Sequence, residues 1–133
     1  MSNVRPMNLN QVTVPALNIA SSVDFYRLLG LELIVSSPQY ARFQCPDGES
    51  SFSVQLVGEI PIQSQTIVYF EVEALDDRVK ELQRKGLVFA QEPKDEPWLW
   101  REARIADPTG NPICLYAAGT NRLNPPWRIS QRA

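Results

Sequence analysis

The sequence contains no histidine. That absence removes the commonest metal ligand, the usual general base and every Ser–His or Cys–His nucleophile arrangement. Any chemistry is left to carboxylates, tyrosines, lysines, cysteines and backbone groups. Cysteine is scarce as well. Cys45 and Cys114 are the two present, too few for a disulfide framework, and the simplest expectation is a reduced, cytoplasmic setting. No apolar run approaches the roughly 20 residues that span a bilayer, and Met1 to Asn8 lacks the apolar core of a signal peptide. Nor is there an excess of positive charge: 13 Lys and Arg stand against 15 Asp and Glu, a formal net charge of −2. Nucleic acids and anionic membranes both want a basic face, so neither is an expected partner. Lysine itself is rare, since ten of the thirteen basic residues are Arg. Arg grips carboxylates and phosphates through a planar fork, so a few could be ligand clamps while the rest are solvated surface charges.

What is present fits one domain of 133 residues with a real core, at an ordinary hydrophobic content of 44%. Leu9 to Ala16 alternates as a half-buried strand that either stops at Pro15 or sits at an edge there. Asn18 is a helix cap, Ile19, Val23, Tyr26 and Leu29 recur at helical spacing, and Gly30 closes the run. Leu31 to Ser36, Tyr40 to Cys45 and Ser51 to Val57 read as three further strands, the last alternating strictly. Residues 58–65 read as a linker. The pattern then repeats. Thr66 to Glu73 is a strand, and Leu75, Val79 and Leu82 form a helical stripe with Asp76 and Asp77 in the favoured first turn. Gly86 ends that helix and Leu87 to Gln91 is a strand. A hairpin running from Trp98 to Tyr116 turns at Asp107-Pro-Thr-Gly-Asn111, where Pro sets one dihedral and Gly and Asn tolerate the left-handed conformation. Gly30 and Gly86 lie 56 residues apart, and the same offset maps Ile19 onto Leu75, Val23 onto Val79 and Tyr26 onto Leu82. The chain is therefore two strand–helix–three-strand modules in tandem, about 9–57 and 66–117, followed by a tail over 118–133. Each sheet buries one face against its helix and leaves the other free, and two such faces can enclose a pocket. Trp127 in the tail is expected to dock on the domain or on a second subunit.

Gln11-Val-Thr-Val-Pro, Ser22-Val-Asp-Phe-Tyr-Arg-Leu-Leu-Gly30, Phe70-Glu-Val-Glu-Ala-Leu-Asp and Asp107-Pro-Thr-Gly-Asn111, in this order and in paired modules, resemble the vicinal oxygen chelate superfamily of glyoxalases, extradiol dioxygenases and bleomycin-resistance proteins. The resemblance covers nearly all of the chain except its first eight residues and its tail. It implies an α+β fold in which paired βαβββ modules form a curved, eight-stranded mixed sheet shaped as a cup, usually in a homodimer. In metal-dependent members of the family, the first and last strands of each module supply the ligands, typically His and Glu. The positions that match here are Gln11 and Ile67 on first strands, and Gln55 and Cys114 on last strands. Two amides, an aliphatic side chain and a thiol are a poor set for a divalent ion, so neither a bound metal nor another cofactor is expected.

The candidate ligand-binding residues are Gln11, Thr13, Gln55, Tyr69, Trp100, Arg104, Cys114 and Tyr116. Gln11 and Gln55 either meet a ligand, satisfy each other or hold a water inside the cup. Cys114 is either a nucleophile or an inert core residue, and with no histidine beside it the second is the simpler. Tyr69 and Tyr116 are either aromatic pocket walls or core. Period two puts Glu102 and Arg104 on one face of their strand and Ala103 and Ile105 on the helix side. Arg104 then needs an anion: Glu102, Glu71 or a ligand carboxylate. The favoured expectation is a metal-independent protein that holds a small organic molecule in the cup between its modules. The alternatives are a lyase, isomerase or dioxygenase using a non-standard metal or acid/base work by Glu71, Tyr69 or Cys114, and a structural or dimerisation module whose cup is filled by its own side chains.

Overall fold

In the computed structural model, residues 7–60 and 66–129 are described. The N-terminal arm, most of the expected linker and the end of the tail lie outside them. The chain divides between Gln63 and Ser64 into two compact units.

The first unit runs β1 (Gln11–Ala16), α1 (Ile19–Leu28), β2 (Glu32–Ser37), β3 (Tyr40–Gln44) and β4 (Ser51–Leu56). Its sheet has the order β1-β4-β3-β2, with β1 parallel to β4 and the other pairs antiparallel. β1 is an edge strand, which is why Pro15 is tolerated inside it. α1 begins where the Asn18 side chain accepts a hydrogen bond from Ser21 N at 2.8 Å. It ends at Gly30, whose φ of 103° is open to glycine at little steric cost. The buried stripe is rotated from the expected one. Ser22, Phe25, Tyr26 and Leu29 are buried, whereas Ile19 and Val23 are half-buried. The reason is Phe25, whose ring packs edge-on against Tyr26 at 5.0 Å and draws that side of the helix inward. Tyr26 is the hub of this core, with ring centroids 4.6 Å from Phe52 and 5.8 Å from Phe43.

The second unit runs β5 (Val68–Glu71), α2 (Leu75–Arg84), β6 (Gln91–Asp95), β7 (Arg101–Ala106) and β8 (Pro112–Ala117), closing on a short 3₁₀ turn at Gly119–Asn121. Its order, β5-β8-β7-β6 with β5 parallel to β8, repeats that of the first unit. The eight expected strands and two helices are therefore present, as an α+β fold of two four-stranded mixed sheets. Leu75, Val79 and Leu82 form the buried stripe of α2 as expected. The strand expected at Leu87 to Gln91 is instead β6, four residues later and spanning Pro93. β6 is an edge strand whose ladder with β7 is irregular between Gln91 and Lys94, and that irregularity accommodates a residue with no N–H. The hairpin is also shorter than expected. Trp98, Leu99 and Trp100 belong to a turn closed by Glu96 N donating to Trp100 O at 2.8 Å, with Leu99 at a φ of 68°.

The Asp107 turn is locked from within. Asp107 Oδ1 accepts from Thr109 N at 2.9 Å and Asn111 N at 2.8 Å, while Oδ2 accepts from Asn111 Nδ2 at 2.8 Å. Both side chains are buried, so this motif fixes the β7–β8 register. At the start of α2, Arg101 grips both carboxylate oxygens of Asp76 at 2.8 and 2.9 Å and reaches Asp95 at 2.9 Å, tying β7 to the helix and to β6. The Arg101 hydrogen bond holds the Asp76 carboxyl below its usual range. Trp127 does not dock on its own unit; it stays 57% exposed.

Candidate functional site

Alternation along β7 and β8 divides the second unit into two faces. Ala103, Ile105, Ile113 and Leu115 are buried with the α2 stripe. The opposite face is built on two cross-strand rows. Tyr69, Cys114 and Arg104 are direct neighbours across β5, β8 and β7, and Glu71, Tyr116 and Glu102 form the next row.

Glu102 is fully buried. Its Oε1 accepts from Arg104 Nη2 at 2.7 Å and Nε at 3.2 Å, and its Oε2 accepts from Trp98 Nε1 at 2.7 Å. Gln91 Nε2 donates to the Glu102 carbonyl at 3.1 Å. A carboxylate removed from water needs such partners, and the bond to it raises the Arg104 pKa further above its ordinary value. Of the partners expected for Arg104, the structure thus selects Glu102. Above this pair stands an aromatic wall. Trp100 stacks on Tyr116 at 4.6 Å and 18° between planes, and Tyr69 meets both edge-on at 5.8 and 5.7 Å. The Arg104 guanidinium lies 5.7 Å from the centre of the Tyr69 ring. Trp100 Nε1 donates to Asn121 O at 3.2 Å, so the turn after β8 braces the wall from outside. Tyr116 is buried, but Tyr69 and Trp98 remain 41% and 43% exposed. Cys114 beneath them is fully buried. Burial pushes its thiol up to about 12, with the Glu102 charge adding to the shift, so it stays protonated and inert at neutral pH. Burial likewise raises the Tyr69 phenol.

The corresponding face of the first sheet is polar. Gln11 Nε2 donates to Ser53 Oγ at 2.7 Å and to Thr13 Oγ1 at 3.2 Å, and Gln11 Oε1 accepts from Ser51 Oγ. Tyr40 OH and Ser53 Oγ are 2.6 Å apart, and Arg42 Nε donates to Tyr40 OH at 2.8 Å.

Five of the eight expected residues, Tyr69, Trp100, Arg104, Cys114 and Tyr116, thus meet on one face, and Gln11 and Thr13 meet on another. Gln55 stands apart. The expectation that Gln11 and Gln55 satisfy each other fails, because Gln55 Nε2 donates to Gln39 O at 3.2 Å while Gln11 binds the serines. Strand register explains the error. The repeat offset is 56 from α1 to α2, but it grows to 61 between Ser51 and Pro112, which start β4 and β8. The first-unit counterpart of Cys114 is therefore Ser53, which pairs with Thr13 as Cys114 pairs with Tyr69. Sequence reasoning left out Tyr40, Arg42, Ser51, Ser53 and Gln91. Period two in Tyr40-Ala-Arg-Phe-Gln was enough to place Tyr40 and Arg42 opposite the buried Ala41 and Phe43.

Among the described residues no group of three or more His, Cys, Asp or Glu is placed to hold a metal ion, and no helix is long and apolar enough to cross a membrane.

Two repeated modules, each laying a helix on one face of a four-stranded mixed sheet, define the paired-module class. Residues 8–115 match the model of the Glyoxalase/Bleomycin resistance protein/Dioxygenase superfamily, and the chain belongs to that superfamily. It is similar to the uncharacterized protein YraH of Bacillus subtilis (strain 168), at 29% identity over 127 residues that cover 83% of this chain and 98% of YraH. Among solved structures it resembles a bleomycin-binding protein complexed with bleomycin (TM-score 0.67, 16% identity, 84% of this chain and 98% of that one). It also resembles a lactoylglutathione lyase from Agrobacterium tumefaciens (TM-score 0.69, 19% identity, 84% and 94%). At these identities both likenesses speak to fold alone.

Proposed function

We propose that the chain binds a small, planar organic molecule, without a metal, against the second-sheet face that carries Tyr69, Trp98, Trp100, Arg104 and Tyr116. The observation that carries this reading is an aromatic wall left partly open beside the buried Glu102 and its ion-pair partner Arg104. Exposed rings at Tyr69 and Trp98 offer stacking worth about 0.5–1.5 kcal/mol per ring pair beyond area burial. Arg104, 30% exposed at its side chain, offers a donor at the edge. Because Glu102 already balances its charge, this face favours a neutral ring over an anion. The relative of the same fold that is complexed with bleomycin supports a small-molecule reading.

The residues at the family's coordinating positions do not fit a divalent ion. Ile67 has no donor atom, the Gln11 amide is engaged by two serines and a threonine, and the Cys114 thiol holds its proton to about pH 12. A thiol must lose that proton to ligate. The same thiol and the raised Tyr69 phenol are poor acid/base groups at neutral pH, which weighs against the lyase, isomerase or dioxygenase alternative.

A thermal-shift screen tests the reading. Neutral planar compounds such as indole, coumarin and naphthol are expected to raise Tm in the presence of a chelator, and a compound at a hundred times its Kd adds about 2.7 kcal/mol of stability. Tyr69→Ala is expected to lose most of that gain. Stabilisation that requires an added divalent metal overturns the reading.

A homodimer forms part of the same proposal. Leu123, Trp127 and Ile129 are 58%, 57% and 80% exposed, an apolar run whose burial a second copy would reward. Light scattering at micromolar concentration is expected to return twice the chain mass; a monomeric mass contradicts it.

A further inference from the structure

On the first sheet, the face opposite α1 carries hydrogen-bond donors that meet no acceptor among the described residues. Arg42 Nε is spent on the Tyr40 oxygen at 2.8 Å, which leaves both terminal nitrogens of the guanidinium. Among the described residues Arg42 has no ion pair. Glu32, the acidic residue on the neighbouring strand, pairs across the ladder with Gln44. Ser53 is fully buried and receives Gln11 Nε2 at 2.7 Å. The 2.6 Å contact between Ser53 and Tyr40 uses one of their two hydroxyl protons, and the other is left without an acceptor in this network. Gln11 Oε1 accepts from Ser51 Oγ. A planar fork and a free hydroxyl proton, with no anion paired to them among the described residues, call for an oxyanion.

We propose that Arg42, Tyr40 and Ser53 form a binding site for the carboxylate of a small organic acid. One cation matches a monoanion, which favours carboxylate over phosphate dianion. The site is preorganised, because the guanidinium is anchored on the phenol and the phenol on a buried serine, so little side-chain freedom is lost on binding. The Tyr40 phenol is drawn below its ordinary pKa, first by Ser53 and then by Arg42, as expected where donors and a cation converge on one oxygen. The second-sheet face differs here, since Glu102 already fills the anionic place beside Arg104. The proposal uses none of the aromatic-wall residues and stands independently of that reading.

The test follows the Cζ signal of Tyr40 by NMR in protein carrying ¹³Cζ-tyrosine, assigned with Tyr40→Phe. At neutral pH, sodium acetate is expected to shift this signal saturably while Tyr26, Tyr69 and Tyr116 stay in place. Its midpoint should lie at lower concentration than that of inorganic phosphate. Arg42→Gln should abolish the response, and Arg42→Lys, which keeps the charge but loses the fork, should weaken it several-fold. Tyr69→Ala should leave it intact, which separates this site from the aromatic one. A Tyr40 signal that acetate does not move, one that responds equally in Arg42→Gln, or tighter binding of phosphate would each overturn the assignment.

Discussion

Arg104→Met is expected to destabilise the protein by about 2–4 kcal/mol, the cost of leaving a buried charge without its cation. Glu102 is fully buried and takes two of its three side-chain hydrogen bonds from Arg104, at 2.7 and 3.2 Å. The estimate sits below the full penalty for a broken buried pair for two reasons. Arg104 keeps 30% of its side chain in water, and Trp98 Nε1 still donates at 2.7 Å in the variant. Removing both charges tells this mechanism from lost packing. Glu102→Leu combined with Arg104→Met takes away the stranded carboxylate, so the double variant should be more stable than Arg104→Met alone. Urea denaturation of the four proteins in that cycle measures it. If Arg104→Met falls within about 0.5 kcal/mol of the parent, a range typical of surface changes, the pair contributes little and the face is not organised by it.

Phe52→Ala is expected to cost about 3–5 kcal/mol, the usual range for deleting a buried aromatic ring. Phe52 is 2% exposed, 4.6 Å from Tyr26 and 6.4 Å from Phe43 between ring centroids. Tyr26 and Phe43 are each fully buried as well, so the cavity has no flexible neighbour at hand to fill it. Total stabilities of about 5–15 kcal/mol leave small room for such a loss. Phe52→Leu keeps most of the volume and should cost markedly less. Chemical denaturation followed by circular dichroism gives both numbers. Equal losses for Ala and Leu would show that ring contacts, rather than the cavity, set the cost.

Much of this architecture is written in local patterns. The Leu75, Val79 and Leu82 stripe, the Asn18 cap and the Gly30 and Gly86 stops each depend on a few neighbouring residues, and each stands where expected. Where reading failed, the cause was non-local. β6 was misplaced because Pro93 reads as a breaker until the strand is seen at a sheet edge with an irregular ladder. The α1 stripe was rotated because Phe25 packs on Tyr26, a preference that spacing alone does not reveal. Gln55 is not the counterpart of Cys114, because the second unit inserts residues between α2 and β7, and register decides which side chains meet. The site was half legible. Alternation in Arg101 to Ala106 put Glu102 and Arg104 on one face, but that Trp98 donates to Glu102 depends on a turn whose geometry no periodicity encodes.

Binding of a planar organic molecule to the second-sheet face, without a metal, is expected. Its most direct test is an NMR titration of ¹⁵N-labelled protein, in chelator, with the strongest compound from the thermal screen, following the three indole N–H signals. Saturable shifts are expected for Trp98 and Trp100 at one common midpoint, with Trp127 unmoved. A compound that stabilises the protein yet leaves Trp98 and Trp100 in place, or that moves them only once a divalent ion is added, would contradict it.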